Sequence, residues 1–457
     1  MNRIFLYFLL LLGIPTYSQN GHLINGEIKN AGGKKIFLSG FYGEKINRID
    51  SAYIDASGHF KFTLGQAIQP GLYRLSIDKD HFLDLIINNE NIDFVSGNEL
   101  SADSTRFTSS VENKIYYFYS GYDRKVQSKI DLLVPNLDFY PEKDEFYQET
   151  SKEYERLQRS ERNVLDSISG LYPHSYAVRL FRIQETPFIP AGLTKDDRVN
   201  YLKQHFLDEV DFNDSLALHS NAWANKAITY LSLYSNNKYS QKQLESEFIK
   251  AITVILSKAS VNAEVYKFLL DYFVGGFDKY HFDAVITYMA DNFQDPYSCE
   301  DQARKTQLQK KLDNFKKISI GKTAPDVTVP DTKGKIIHLS DIKSEYTLLV
   351  FWSSECGHCA QMMPQLKELY DKQKPKRWEV MTVSIDTSRN EWVTFIREQK
   401  LNCLNGSDLK GFDSKSADDY NIFATPTMFL LDREKKILAK PISYRELEQD
   451  LKDNNIY

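Results

Sequence analysis

The sequence predicts a multidomain chain with an N-terminal β-sandwich at residues 19–110, a central α-helical domain at 111–317 and a C-terminal α/β domain at 318–457. Three observations predict this order. Short strand-like runs lie between glycine and proline turns in the first segment, an apolar period of four residues marks the second, and strands alternate with helices in the third. A chain of 457 residues is long enough for about three domains.

Residues 1–18 have the pattern of a signal peptide. Arg3 supplies a positive charge, residues 4–14 form an apolar core, and Thr16 and Ser18 are small residues at the positions of a cleavage site. The apolar core is too short to span a bilayer, and no other stretch of the sequence reaches that length. We therefore expect an exported protein of the periplasm or cell envelope, without a membrane span after signal cleavage.

Composition narrows the classes of partner and chemistry. The formal net charge of −5 argues against a nucleic-acid-binding surface. Of the four cysteines, only Cys356 and Cys359 are close in sequence. A secreted protein held together by disulfide bonds would have more cysteines. A close cysteine pair indicates redox chemistry. The single cysteines Cys299 and Cys403 are interpreted as small buried apolar residues.

The first segment after the signal peptide is typical of a small β-domain. Its alternating apolar runs are bounded by turn signals such as Ala31-Gly32-Gly33 and Gln69-Pro70-Gly71. Regular short strands of this kind predict a β-sandwich. The runs lie at residues 36–38, 59–62, 72–75 and 83–87. No catalytic group of residues is evident among them.

The central segment changes to a helical period. Residues Leu244, Phe248, Ile252 and Leu256 recur every four positions, as on one face of a helix, and Ser240 with Gln243 fits a capping box before them. The prolines expected to separate the earlier helices are Pro135, Pro141, Pro173, Pro187 and Pro190.

The C-terminal segment contains the chemistry. A buried strand at residues 348–351 is followed by Cys356-Gly357-His358-Cys359, and the next residues open a helix. This order places both sulfurs at a helix N-terminus, where main-chain N–H groups and the helix dipole favour a thiolate. The pKa of the Cys356 thiol should therefore be lowered, and an imidazolium at His358 would lower it further.

Three features of this segment resemble the thioredoxin superfamily. They are the pattern from Trp352 through Cys356 and Cys359, the proline Pro364 in the following helix, and Ala424-Thr425-Pro426-Thr427 further on. Gly357-His358 is the dipeptide of protein disulfide isomerases. The long spacing from Cys359 to Pro426 resembles the TlpA/ResA-like thiol–disulfide oxidoreductases of the bacterial envelope. The N-terminal segment is similar to an uncharacterised β-domain that often precedes such domains.

This resemblance implies a thioredoxin-like fold and a role for each matching residue. Cys356 attacks a substrate disulfide and Cys359 resolves the mixed disulfide, while Gly357 and His358 tune the redox chemistry. Thr425, Pro426 and Trp352 form the substrate-binding surface, with a cis bond before Pro426. The expected partners are protein thiols and disulfides and a membrane electron donor, and no cofactor is expected.

The sequence departs from the family in the acids near the motif. Val350 occupies the position of a buried aspartate in thioredoxin, and Met362 that of a glutamate in the cytochrome-maturation members. Glu355 precedes Cys356 where thioredoxin has tryptophan. The carboxylates that these relatives place near the buried thiol are therefore absent from the corresponding positions of this sequence.

An inert structural disulfide would not need a helix N-terminus or a proline loop. Three other interpretations are open. A metal site would need more ligands than one cysteine pair. A peroxiredoxin-like thiol peroxidase shares the fold, but Leu349 and Ser353 replace the proline and threonine that precede its reactive cysteine. A binding protein with an accessory redox domain is the third, because the β-domain and the helical domain make up most of the chain.

Overall fold

A computed structural model describes most of the chain that follows the predicted signal peptide. The described residues are 22–65, 68–98, 100–280, 282–298, 306–373 and 377–456. The signal-peptide prediction for residues 1–18 and the interpretation of Cys299 concern residues outside these ranges. The chain divides into two compact units, Met1–Leu233 and Tyr234–Tyr457. The predicted domain boundaries stay predictions.

The described residues of the first unit begin with two four-stranded β-sheets. Their orders are β4-β1-β7-β8 and β3-β2-β5-β6. The strands are β1 (Leu23–Ile28), β2 (Lys35–Tyr42), β3 (Lys45–Tyr53), β4 (His59–Thr63), β5 (Gly71–Ser76), β6 (Phe82–Ile87), β7 (Ile92–Ser96) and β8 (Thr105–Phe107). Alternate residues of β1 and β7 are buried, because successive side chains of a strand point to opposite faces. Ile24, Leu38, Leu75, Leu85 and Ile92, from both sheets, belong to one hydrophobic core.

Helices complete the first unit. They are α1 (Val111–Phe139), α2 (Glu145–Leu171), α3 (Tyr176–Gln184), α4 (Lys195–His205) and α5 (Ala222–Ser232). The buried carboxylate of Glu112, in the first turn of α1, accepts hydrogen bonds from the Ser175 hydroxyl and from the main-chain N–H groups of Tyr176 and Ala177. A negative charge at the N-terminus of α3 satisfies donors that have no helical partner. This contact holds α1 against α3.

One predicted helix break is wrong. Helix α1 passes through Pro135 and ends only at Phe139. Proline removes one main-chain donor and clashes with the preceding turn. Pro135 lies about one turn before the end of the helix, so the disturbance falls on few hydrogen bonds.

The second unit begins with helices α6 (Gln241–Ala259), α7 (Ala263–Lys279), α8 (Asp283–Asn292) and α9 (Gln307–Lys317). The predicted capping box is confirmed, since Ser240 and Gln243 bond reciprocally at the start of α6. Ile252 and Leu256 from the predicted apolar face are fully buried. The helical character of the middle of the chain is therefore confirmed.

The C-terminal part of the second unit is an α/β layer structure. A hairpin of β9 (Thr328–Pro330) and β10 (Ile336–His338) precedes a five-stranded sheet of order β13-β12-β11-β14-β15. Its strands and helices are β11 (Tyr346–Trp352), α10 (Gly357–Lys372), β12 (Trp378–Ser384), α11 (Arg389–Glu398), β13 (Leu404–Gly406), α12 (Lys415–Asp419), β14 (Thr427–Leu431), β15 (Ile437–Ala439) and α13 (Tyr444–Asp453). Strand β11 is central, parallel to β12 and antiparallel to β14. Six of its seven residues are buried, which explains its continuous apolar sequence.

Candidate redox site

The two predicted redox cysteines lie where the central strand of the C-terminal sheet leads into a helix. Strand β11 ends at Trp352 and α10 begins at Gly357, with Cys356 as its N-terminal cap residue. The sulfur of Cys356 accepts a hydrogen bond from the main-chain N–H of Cys359 at 3.4 Å. Both cysteines are free thiols. The helix N-terminus thus provides a donor to the sulfur that would carry a negative charge.

A second loop, which precedes the neighbouring strand β14, contacts the first cysteine. The bond between Thr425 and Pro426 is cis, as predicted, and lies just before β14. The Cys356 thiol lies 3.1 Å from the main-chain oxygen of Thr425, to which it donates. Because β14 pairs with β11, residues distant in sequence meet at one end of the sheet. Thr425 and Pro426 are both partly exposed beside the sulfur.

The two sulfurs have opposite electrostatic environments. Partial burial of Cys356 disfavours its thiolate, but hydrogen bonds from the Thr425 side chain and from Cys359 and His358 outweigh it and hold the pKa of Cys356 below its ordinary value. Cys359 is fully buried, and burial raises its pKa to about 12. The partly exposed sulfur therefore ionises far more readily than the buried one.

Gly357 and His358 are exposed on the first turn of α10. The main-chain N–H of His358 is one of the groups that lower the pKa of Cys356. The effect expected from the imidazole ring stays a prediction. Glu355 is also exposed, and its main-chain N–H donates to the Ser353 hydroxyl at 3.2 Å.

The structure corrects the expectation for Trp352. This side chain is fully buried in the core, and its ring centroid lies 4.8 Å from that of Phe395. It supports the end of β11 from inside the domain and does not reach the surface that carries Thr425 and Pro426. Trp352 is one of six consecutive buried residues on this central strand, so its large ring is explained by core packing.

The two positions at which relatives carry an acid near the cysteines hold core residues in this chain. A different acid lies close to the turn before Cys356. Val350 and Met362 pack in the hydrophobic core, with exposed fractions of 0% and 6%. Asp386, two residues beyond β12, is 5% exposed and accepts hydrogen bonds from Ser353 and Ser354. Sequence reasoning missed it. The available signal was an aspartate directly after the second buried strand, since parallel neighbouring strands end at the same edge of a sheet.

The preceding helical segment contacts the chain that leads into the cis-proline loop. The amide of Asn314, on α9, donates to the main-chain oxygen of Asp418 at 2.9 Å. The ammonium of Lys311 pairs with Asp278 at 2.7 Å and lies 5.7 Å from the ring centroid of Phe423. Phe423 is 55% exposed and precedes Thr425 by two residues. An exposed aromatic ring therefore lies on the segment that leads into the cis-proline loop.

Three further observations concern metal ligands, membrane helices and the remaining described cysteine. Within those ranges, no group of three or more histidine, cysteine or acidic side chains is placed to hold a metal ion. Likewise, none of the helices described has the length and apolar character needed to cross a membrane. Cys403 is partly buried, and its thiol lies 3.7 Å from the amide oxygen of Asn405.

An ionisable cysteine capping a helix, a buried partner one turn on, and a cis-proline loop against the first sulfur define a thioredoxin-like redox domain. Comparison with known proteins agrees. The model of the AhpC/TSA family matches residues 320–440. Two models described as domains of unknown function, DUF4369 and DUF5106, match residues 22–116 and 148–293.

Individual relatives match part of the chain. Thiol-disulfide oxidoreductase ResA of a Bacillus cereus strain is 35% identical over 133 residues, which are 29% of this chain and 75% of the relative. ResA of Bacillus anthracis is 34% identical over 133 residues, with the same shares of 29% and 75%. A solved thiol-disulfide oxidoreductase from Bacteroides fragilis is 32% identical and covers 29% of this chain and 99% of its own, with a TM-score of 0.28. The chain belongs, through this domain, to the family of ResA-like thiol–disulfide oxidoreductases.

Proposed function

We propose that this protein is an exported thiol–disulfide oxidoreductase that exchanges disulfides with protein substrates through Cys356 and Cys359. The observation that carries the proposal is the contrast between the two sulfurs of one site. One is partly exposed, capped by helix N–H groups and has a lowered pKa, whereas the other is buried and has a raised pKa. Disulfide exchange needs this pair, because one thiolate attacks the substrate and a protected thiol then releases it.

In the reducing direction, the Cys356 thiolate attacks one sulfur of a substrate disulfide. The substrate S–S bond breaks, one substrate thiolate leaves and takes a proton from water, and a mixed disulfide to Cys356 forms. Cys359 then loses its proton to water and attacks the Cys356 sulfur. The second substrate thiolate leaves, so the substrate gains two electrons and the chain keeps a Cys356–Cys359 disulfide.

The first step prepares the second. In the reduced chain, burial is the main cause of the raised pKa of Cys359, and the neighbouring Cys356 sulfur raises it further through its hydrogen bond and its charge. A mixed disulfide removes the negative charge of Cys356, and the uncharged sulfur is then a much weaker acceptor for the Cys359 thiol. The pKa of Cys359 should therefore fall when the substrate is attached, which is when its thiolate is needed.

The surface around Cys356 suits a polypeptide substrate. Pro426 has no main-chain N–H, and Thr425 presents main-chain groups beside the sulfur for pairing with an extended segment. The exposed ring of Phe423 offers an apolar contact next to them. Protein disulfides are the substrates that we infer from this surface.

Export and electron supply complete the proposal. Residues 1–18 would direct the chain out of the cytoplasm and into a compartment in which substrate disulfides persist. A reductase in that compartment needs electrons from elsewhere, and a membrane donor is the class of partner that fits. The two N-terminal sheets, which share one core, would form a sandwich that helps to hold substrates.

The test is the reduction of insulin disulfides by the full-length mature chain with dithiothreitol as reductant. We expect wild-type protein to accelerate insulin precipitation and Cys356→Ser to be inactive. Cys403→Ser is the matched control and should keep wild-type activity. The same preparations are tested for hydrogen peroxide consumption. Rapid peroxide turnover without insulin reduction would reject the proposal in favour of a thiol peroxidase.

A further inference from the structure

A cavity of about 320 Å³ lies within the helical part of the first unit, bordered by α1, by α2 and by α3 with the residues that follow it. On α1 its lining residues include Tyr119, Asp123 and Gln127, which are four positions apart. On α2 they include Gln158 and Glu161, three positions apart. These spacings place the side chains of each helix on one face. The volume lies within the range of small-molecule sites, about 300–1,000 Å³.

Two acidic side chains of the cavity have no cationic partner. The Glu161 carboxylate accepts hydrogen bonds from the Gln127 amide at 3.1 and 2.9 Å. Within the described ranges of the chain, neither Glu161 nor Asp123 forms an ion pair. Both side chains are only partly exposed. The negative charge on this side of the cavity is therefore poorly compensated.

A third acid that lines the cavity, Glu185, has one unsatisfied oxygen. Its Oε2 accepts a hydrogen bond from Arg182 at 2.9 Å. Its Oε1 is buried and has no hydrogen-bond partner in the part of the chain that the structure describes, and the Nε of Arg162 lies 3.8 Å from it. A buried acceptor without a donor is costly. A donor group on a ligand in the cavity would offset that cost.

The two arginines of the cavity lining do not supply the missing positive charge, because each is paired with an acid outside the lining. Arg159 contacts the Glu155 carboxylate at 2.6 Å, and Arg162 contacts that of Glu209 at 2.6 Å. The exposed fractions of the two arginine side chains are 59% and 42%. Solvent and these partners therefore screen both cations.

Aromatic and aliphatic side chains form the rest of the lining. The ring centroids of Tyr119 and Phe181 lie 4.5 Å apart, and Tyr119 is 5% exposed. Ile130 and Ile189 add aliphatic surface. An ammonium ion is attracted both to a carboxylate and to the face of an aromatic ring, and an alkyl stem packs against apolar side chains. The lining thus suits an alkyl chain that ends in a positive charge.

We infer that this cavity binds the ammonium group of an alkylamine, held by the carboxylates of Asp123 and Glu161. A lysine side chain of a polypeptide and a free amine share this chemistry, and the experiment separates the two sources. Such binding is independent of the redox chemistry of Cys356 and Cys359, so the two can fail separately.

Binding should depend on pH through Glu161. Burial and the neighbouring carboxyl of Asp123 raise the pKa of Glu161 to about 8. Near neutral pH this carboxyl is mostly protonated, and an ammonium ion that binds it displaces the proton to the solvent. Binding should therefore tighten by up to about tenfold per pH unit below about 8 and level off above it. The titratable and charged groups that line the same cavity are Tyr119 and Asp123 on α1, Arg159 and Arg162 on α2 and Glu185 after α3.

The test is isothermal titration calorimetry of the full-length mature chain at mildly alkaline pH. The probes are n-butylamine, butan-1-ol, which has the same length and no charge, and butyrate, which has the opposite charge. We expect n-butylamine to bind at least about tenfold more tightly than either of the others, because only its ammonium group pairs with the carboxylates. Cadaverine and Nα-acetyl-lysine N-methylamide are then compared. Tighter binding of the lysine derivative assigns polypeptide lysines as the source, and tighter binding of cadaverine assigns free amines.

Variants assign the binding to the two acids. Glu161→Gln keeps the size of the side chain and removes its charge, so it should weaken n-butylamine binding about tenfold and abolish the rise in affinity with pH. Asp123→Asn should weaken binding to a similar extent, and it replaces Glu161→Gln if that variant does not fold. Glu153→Gln is the matched control. Glu153 lies on the same helix outside the cavity lining and contacts Arg156 at 2.6 Å, so binding should not change.

Four results would overturn the inference. The first is a wild-type chain that shows no saturable binding of n-butylamine. The second is butan-1-ol or butyrate binding as tightly as the amine, since the charge of the ligand would then not be recognised. The third is an unchanged affinity in both Glu161→Gln and Asp123→Asn. The fourth is an equal loss of affinity in Glu153→Gln, which would assign the effect to the net charge of the helix.

Discussion

Alkylation of the reduced chain should separate the two active-site sulfurs by their ionisation. The pKa of Cys356 lies below the ordinary thiol value of 9.0, whereas burial raises that of Cys359 to about 12. At pH 7, more than about one Cys356 in 100 is therefore a thiolate, compared with roughly one Cys359 in 10⁵. The ratio of the two thiolate populations exceeds about 10³.

Part of this difference is offset by basicity, because a thiolate becomes a better nucleophile as its pKa rises, with a Brønsted coefficient of about 0.4–0.5. For a pKa difference from 9.0 to about 12, this effect makes the Cys359 thiolate faster by a factor of about 10^1.5. Ionisation alone then leaves Cys356 at least about thirtyfold faster. Cys359 has an exposed fraction of 0%, and limited access of the reagent adds to this selectivity.

The assay is a time course with iodoacetamide, in which peptide mass spectrometry measures labelling at each cysteine. The denatured chain is the control, where both cysteines should react at similar rates. As the pH rises from neutral, labelling of Cys359 should climb about tenfold per pH unit, whereas labelling of Cys356 should level off at a lower pH than that of an ordinary cysteine. Similar rates in the folded chain, or faster labelling of Cys359, would refute the ionisation argument.

Three further predictions concern residues around the site. Val350→Asp should lower the free energy of unfolding near neutral pH by about 3 kcal/mol or more, because it buries an unpaired charge. The loss should be smaller in acid, where the carboxyl is neutral, and urea denaturation at neutral and at acid pH measures both values. Phe423→Ala should raise the KM for insulin a few-fold and leave the reaction with 5,5′-dithiobis(2-nitrobenzoate) unchanged. The matched variant Ile336→Ala, at another exposed apolar residue, should change neither quantity. An unaltered KM in Phe423→Ala argues against a substrate contact. The reduction potential of the wild-type chain, measured against glutathione, should lie near the isomerase value of about −180 mV. His358→Pro should make the potential more negative, because proline removes an N–H that stabilises the Cys356 thiolate. A wild-type value at or below about −270 mV contradicts this reasoning.

Local sequence signals were sufficient for the core of the redox site. The order of strand, cysteine pair and helix follows from a short apolar run and a helical period, and it placed Cys356 at a helix N-terminus. The cis bond before Pro426 follows from the resemblance to the thioredoxin superfamily and not from a local signal. The capping box at Ser240 was visible from the local sequence, since all its partners lie within four residues.

Contacts between distant segments were not predictable in the same way. Asp386 meets Ser353 because β11 and β12 are parallel neighbours, and 33 residues separate the two side chains. The environment of Phe423 depends on Lys311, which lies on a helix before the sheet begins. The surface role predicted for Trp352 follows from its match to a family position, whereas a strand on which six of seven residues are buried places it in the core.

The division of roles between the two sulfurs is tested most directly by trapping the covalent intermediate. Purified Cys359→Ser chain is incubated with a disulfide-containing protein, quenched in acid, and analysed intact and after digestion by mass spectrometry without reductant. We expect a stable mixed disulfide between Cys356 and one substrate cysteine, which is absent with Cys356→Ser and short-lived with wild type. No adduct on Cys356 in the Cys359→Ser chain, or a substrate adduct on Cys359 in the Cys356→Ser chain, would contradict the assignment of Cys356 as the attacking residue.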